Sequence, residues 1–255
     1  MIGKKNMPEI EFLNSALLIN QGILVFSDLH IGYEDIIAGK GIFPRRQLKD
    51  IIEKLDGIFW DLNMKGIRIK QIIICGDLKH EFGEISDVEW RETIRLLDYL
   101  ISKCPDIILI KGNHDNVLGP IARKREIKLK DFYKTGGICF LHGDKIYDGC
   151  FKNSKIVVAG HLHPAISISD DYKKEKYKCF LKGKIKGKLA YILPSFSEMS
   201  PGYDLTKEHY TKGNKKKAYE FLIIPELKLK KFNVVVYNNK DKKEYDFGKL
   251  KTLIN

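Results

Sequence analysis

Five of the seven histidines follow directly on short apolar runs, in company with acidic, amide or glycine residues. The groups, in chain order, are Asp28-Leu29-His30, Gly76-Asp77, Gly112-Asn113-His114-Asp115, His142-Gly143-Asp144 and Gly160-His161-Leu162-His163. Asp, Asn and His without cysteine form an oxygen and nitrogen donor set suited to Mn, Fe or Zn. A carboxylate has two oxygens and can bridge two cations. Two cations about 3.5–4 Å apart can clamp a phosphate and generate hydroxide near neutral pH. Taken singly, Gly-Asp or Asp-x-His is ordinary turn chemistry. Gly-Asn-His-Asp says more, because a turn needs neither the His nor the second Asp. Five such groups in order point to a metal centre.

The elements that must position these residues are legible as well. Ile23–Phe26, residues 72–75, Ile107–Ile110, Ile138–Leu141 and Ile156–Ala159 are short apolar runs that read as buried strands. Between the first two, Leu48, Ile51, Ile52, Leu55, Ile58, Phe59 and Leu62 recur at helical spacing and predict a helix over 45–63. Ser86-Asp87-Val88-Glu89 has the form of a capping box, opening a helix with Trp90, Ile94, Leu97 and Ile101 on one face. Alternating strands and helices imply a parallel sheet with right-handed crossovers, and ligands of such sheets gather at the carboxyl ends of the strands. After residue 164 the pattern changes to antiparallel strands over 165–169, 177–181 and 189–193. A single domain over 1–255 is expected, with a motif core at 23–164 and a basic part at 165–255 completing it.

This motif order resembles the calcineurin-like metallophosphoesterase superfamily, in which D-x-H, G-D, G-N-H-D, a G-H-type histidine and G-H-x-H follow one another. The match covers residues 28–163, with Leu141 before His142 where glycine is usual. Asp28-Leu29-His30-Ile31-Gly32-Tyr33-Glu34, the run from Gly76 to Gly83 and Leu193-Pro194-Ser195-Phe196 resemble one subgroup. It holds archaeal phosphoesterases related to the SbcD nuclease and ligase-associated bacterial DNA-repair endonucleases of the PdeM type. The resemblance implies an α/β, four-layer fold, a two-sheet β-sandwich flanked by helices. It implies two divalent metal ions, Mn before Fe or Zn. Asp28, His30 and His163 would hold the first, Asn113, His142 and His161 the second, and Asp77 would bridge. A metal-bridging hydroxide would attack phosphorus in line. His114 would be the acid near the leaving oxygen, with Asp115 orienting or charging its imidazole.

At 255 residues and 44% hydrophobic, the chain can bury a sizeable core, which excludes wholesale disorder. Its formal charge of +12 is uneven: residues 1–169 carry +2 and residues 170–255 carry +10. That asymmetry favours an anionic partner, nucleic acid ahead of a membrane. Lys182, Lys184, Lys186 and Lys188 alternate, so on a strand or hairpin they would share one face, near Tyr172, Tyr177, Phe180 and Tyr191. They could track phosphates while the aromatics stack bases. Equally, they could guard an edge strand while the aromatics pack in the core. The excess of Lys (38) over Arg (7) is a chain-wide bias that dilutes the nucleic-acid reading. His80 either faces the cleft and touches a substrate phosphate or hydrogen-bonds its own loop; His209 reads as a surface residue.

Gly183 to Lys188 falls one residue short of a P-loop, and no G-x-S-x-G elbow appears. Cysteines at 75, 104, 139, 150 and 179 form no C-x-x-C pair and read as free thiols in a reducing compartment. Without an apolar leader or a membrane-length run, a cytoplasmic location is expected. The first functional expectation is a metal-dependent phosphodiesterase acting on DNA or RNA. The alternatives are a phosphatase or small-nucleotide phosphodiesterase, or a scaffold or nucleic-acid binder on the same fold.

Overall fold

The computed structural model describes residues 7–38, 44–83, 85–169, 173–207, 224 and 226–254; Tyr172 and His209 lie outside them. Strands β1 (Ile10–Leu13), β2 (Ala16–Ile19) and β3 (Ile23–Phe26) lead into helices α1 (Tyr33–Ala38) and α2 (Gln47–Met64). Then come β4 (Gln71–Cys75), α3 (Asp87–Lys103), β5 (Ile107–Ile110), α4 (Gly119–Lys124) and β6 (Lys128–Lys130). The chain continues through β7 (Phe132–Thr135), β8 (Ile138–Leu141), α5 (Asp148–Phe151), β9 (Ile156–Ala159), β10 (Pro164–Ser169) and β11 (Lys174–Lys178). It goes on through β12 (Phe180–Ile185), β13 (Lys188–Ile192), β14 (Tyr203–Asp204), α6 (Glu226–Leu229), β15 (Asn233–Asn238) and β16 (Lys243–Lys249), with a short 3-10 helix at Leu250–Thr252.

These strands form two large mixed sheets, ordered β1-β2-β3-β4-β5-β6 and β16-β15-β12-β13-β9-β8-β7, with a small β11-β10-β14 sheet alongside. The expected strand–helix alternation is therefore shared between two sheets: β3, β4 and β5 are parallel in the first, β8 and β9 in the second. Alternate residues of each strand serve opposite faces. Ile72 and Ile74 pack with α2 and α3, while Ile73 and Cys75 face the other sheet. Ile138, Phe140, Ile156 and Val158 meet them from the second sheet, whose outer face buries Cys139, Leu141, Val157 and Ala159. Burial on both faces explains why these strands read as unbroken apolar runs. Long helices, two sheets, and an outer layer of short helices and the small sheet make an α/β sandwich, as expected.

Four local expectations need correction. The expected strand over 177–181 breaks at Cys179, which separates β11 from β12 and places them in different sheets. The capping box is only half made: Ser86 Oγ accepts from Glu89 N (3.1 Å), but Glu89 Oε1 accepts from His80 N (2.7 Å) and Glu81 N (2.9 Å) instead. Cys139 and Cys150 are not free thiols but a disulfide, with Cα atoms 5.5 Å apart. The loop after β8 folds α5 back over the strand, a proximity that spacing alone did not disclose. Cys75, Cys104 and Cys179 remain free and buried.

The lysines do not share one face. Lys182 and Lys184 pair with Tyr191 and Leu189, on the side facing the first sheet. Lys188 pairs with Ile185, whose side chain belongs to the outer core. The two-residue turn at Lys186-Gly187 resets the alternation, a parity change that a count along one strand misses. Phe180 and Tyr191 are buried between the sheets and unavailable for stacking, while Tyr177 is exposed.

Candidate metal centre

All five motifs lie just past the carboxyl ends of parallel strands, after β3, β4, β5, β8 and β9. Because the two sheets face one another, their loops meet. His161 N donates to Asp28 Oδ2 (3.0 Å), and the His142 ring places Nδ1 3.0 Å from Cys75 O. The first two loops run side by side, Asp28 N donating to Gly76 O and His30 N to Asp77 O, each at 3.0 Å.

Close approach requires absent side chains at three motif glycines. A Cβ on Gly112 would stand 2.1 Å from Asp77 Oδ1, one on Gly160 1.8 Å from Ser27 Oγ, and one on Gly76 2.3 Å from His142 Nδ1. These glycines make room for their neighbours' functional side chains.

Among the described residues, ligand-type atoms converge in three groups; one is His30, His80 and His114, and the other two share Asp77. Asp28, His30, Asp77 and His163 offer atoms all within 4.8 Å of one another, as do Asp77, His142 and His161. Asn113 Oδ1 joins the last of these at 3.0 Å from His142 Nε2. His30 Nε2 and His163 Nε2 face each other at 3.2 Å, and His163 Nε2 lies 3.1 Å from Asp28 Oδ1. Asp28, His30, Asp77, His161 and His163 all have left-handed backbone, with φ between +48° and +69°. Non-glycine residues there cost roughly 1–3 kcal/mol each and persist where surrounding structure enforces them, typically at functional sites.

The electrostatics suit a cation. Burial alone would raise Asp28 and Asp77, but His163 beside the first and His142 beside the second hold both below the usual carboxylate range. Burial presses His30 down to about 3, so its ring is neutral near pH 7 with a lone pair to offer. Burial opposes charge on His142 too, yet Asp77 and Asp28 lift it to about 10. A proton there supplies the positive charge that two buried carboxylates demand and that a cation would otherwise bring. The donor set and its convergence fit divalent metal.

His114 and Asp115 divide their tasks differently from expectation. Asp115 does not orient the His114 ring. Its Oδ1 accepts from Leu78 N (3.0 Å) and Lys79 N (3.3 Å), and its Oδ2 from Gly112 N (2.9 Å), binding the G-N-H-D turn to the G-D loop. Fully buried and beside Asp77, it is raised to about 7. The His80 carbonyl instead accepts from His114 Nδ1, leaving Nε2 3.9 Å from Asp77 Oδ2. His80 itself reaches the centre, with Nδ1 3.2 Å from His30 Nδ1.

Lys182, Lys184, Lys186 and Lys188 are not brought to this cluster. β13 runs parallel to β9 with Leu189 opposite Ile156 and Ile192 opposite Ala159, so the lysine turn lies at the far end of the strands from His161. Leu189 to Leu193 alone spans roughly 13 Å.

Several supporting residues had no role assigned from the sequence, Ser195 among them although its Leu193–Phe196 run was part of the resemblance. Buried Gln47 donates to His30 O (2.7 Å) and Ser197 Oγ (3.1 Å) and accepts from Gly32 N (3.1 Å), holding the first loop. Its signal was a polar side chain on the otherwise apolar face of α2. Ser195 Oγ donates to Asp28 O (2.8 Å), and Ser200 Oγ lies 3.3 Å from His163 Nδ1. Lys178 Nζ donates to Ser195 O (3.1 Å) and pairs with Glu198, securing that loop from behind.

Two facing sheets with an Asp/His cluster between their strand ends define a metal-binding α/β sandwich. The chain belongs to the calcineurin-like phosphoesterase family, whose model matches residues 22–186. No curated protein matches it by sequence. Among solved structures, the nuclease MPE of Pseudomonas putida is similar with a TM-score of 0.58 and 17% identity, covering 90% of this chain and 96% of that one. Vps29 of Entamoeba histolytica, in complex with zinc, gives 0.34 and 15%, covering 89% and 99%. Among the described residues no helix is long and apolar enough to cross a membrane.

Proposed function

We propose that the chain is a dinuclear metal-dependent phosphodiesterase acting on DNA or RNA. The observation that carries this reading is Asp77, a buried carboxylate common to the two donor groups that contain an acidic residue. Asp28, His30, Asp77 and His163 would hold one cation and Asp77, Asn113, His142 and His161 the other, with Mn, Fe or Zn all compatible with the donors. When bound, such a pair polarises phosphoryl oxygens and lowers the pKa of water.

The chain's own residues do the rest. His114 fixes Nδ1–H on the His80 carbonyl, so Nε2 is the atom that exchanges a proton at the leaving oxygen. Asp115 keeps Asn113 and His114 in register with Asp77 through the backbone hydrogen bonds of both loops. Nucleic acid as substrate draws support from the +12 formal charge and from the fold shared with a protein named as a nuclease.

The test is hydrolysis of a chromogenic phosphodiester and a chromogenic phosphomonoester with Mn²⁺, then with chelator. Diester turnover that chelation abolishes is expected. Preference for the monoester would make the protein a phosphatase, and turnover of neither would overturn the hydrolase reading.

A further inference from the structure

Tyr33, His80, His114 and Phe82 form a row of rings along the His30 side of the centre. Tyr33 and His80 have centroids 4.5 Å apart, and His80 and His114 stack at 5.1 Å and 26°. Phe82 caps the row, 3.7 Å from the His114 ring, yet 65% of its surface is exposed. The backbone presenting it is held: Glu89 accepts from His80 N and Glu81 N, and Lys79 Nζ donates to Glu81 O. Gly83, at φ +79°, turns the chain away just beyond. One face of Phe82 thus lies against the imidazole that serves the leaving oxygen, and the ring stays open to solvent.

Resting on the phosphodiesterase reading, we propose that Phe82 is a stacking platform for the base of the leaving-side nucleotide, which makes unpaired nucleic acid the substrate class of this site. Whatever is attached to the leaving oxygen must extend past His114, and Phe82 is the next surface it meets. An aromatic face accepts any base, so the contact favours no sequence. A base inside a duplex is already stacked and would have to leave its neighbours first. Single strands, frayed ends and flaps meet the platform without that cost.

The test uses single-stranded oligonucleotides with one cleavable phosphodiester among methylphosphonates, carrying either a base or an abasic residue on the leaving side. With Mn²⁺, the wild type should favour the base-bearing strand by about 5- to 100-fold in kcat/KM. Phe82→Ala should collapse that preference towards unity and Phe82→Trp should keep it. An unchanged preference in Phe82→Ala would overturn the platform. A second readout needs no turnover: 2-aminopurine at that position of a fully methylphosphonate strand should be quenched on binding the wild type but not Phe82→Ala. Quenching by a protein that cleaves no diester would sustain the platform while the hydrolase reading falls. No quenching by the wild type would overturn the platform even if diesters are cleaved.

Discussion

The strand-end loops and the β12–β13 hairpin each hold a dense set of charged or ligating residues, but the backbone presents them differently. In the loops, five candidate ligands sit in left-handed conformations, and three glycines leave room for them, so side chains from both sheets converge on buried ground. In the hairpin, regular pairing and a two-residue turn send Lys182 and Lys184 to one face and Lys188 to the other. Strained, glycine-spaced backbone concentrates chemistry at a point. Regular strand backbone spreads it over two surfaces. Residue type and order alone would not separate these cases.

The largest effect should come from Asp77→Asn. A neutral amide cannot balance two dications, so this change should remove at least one bound Mn²⁺ by elemental analysis and reduce diester turnover to background. Two tightly held metals in Asp77→Asn would refute a shared carboxylate. His114→Ala should retain both metals and slow turnover by roughly 10²- to 10⁴-fold, less for good leaving groups. An equal loss across a leaving-group series would assign His114 to charge stabilisation.

Asp115→Ala strands three backbone donors in buried loops, with an expected loss of about 3 kcal/mol or more in denaturant unfolding. A loss confined to activity would mean the loops hold together without it.

Within the basic third, Lys178 is buried beside Glu198, and burial lowers it to about 8 from an ordinary 10.5. Below about pH 8 it is charged in both folded and unfolded chains. Between about 8 and 10.5 the unfolded chain holds more of its proton, so this group makes stability rise with pH in that window. The rise amounts to up to about 3 kcal/mol. Lys178→Met should lack it, so parallel pH profiles for the two proteins would contradict the assignment. The smallest effect should come from changing Lys182, Lys184, Lys186 and Lys188 to Ser. If only Lys182 and Lys184 track a strand together, the slope of log affinity against log salt changes by about 1.4, not the roughly 2.8 of four aligned contacts.

Much of the centre was legible in the sequence. Strands buried on both faces are apolar throughout, and polar residues placed just past them mark the strand ends, so Asp28, His30, Asp77, Asn113, His142, His161 and His163 stood out by position and donor type. The family resemblance added the grouping of ligands around two cations. Asp115 shows where that reading stopped. Its place beside His114 in the chain said nothing of the Leu78 and Lys79 amides, which reach it only because β4 and β5 pair in parallel.

Other features existed only once the chain had folded. Glu89 had the spacing of a capping residue, but two amides of the His80 loop compete for its carboxylate and win. Cys139 and Cys150 read as free thiols with no C-x-x-C spacing, until α5 closed over β8. By itself the sequence determined strand positions, donor chemistry and net charge, because these follow from residue type and local period. The tertiary structure alone decided which loops share Asp77, which lysines share a face and which ring lies on His114. Those depend on register, turn parity and the approach of two sheets, none of which is written in any single stretch of chain.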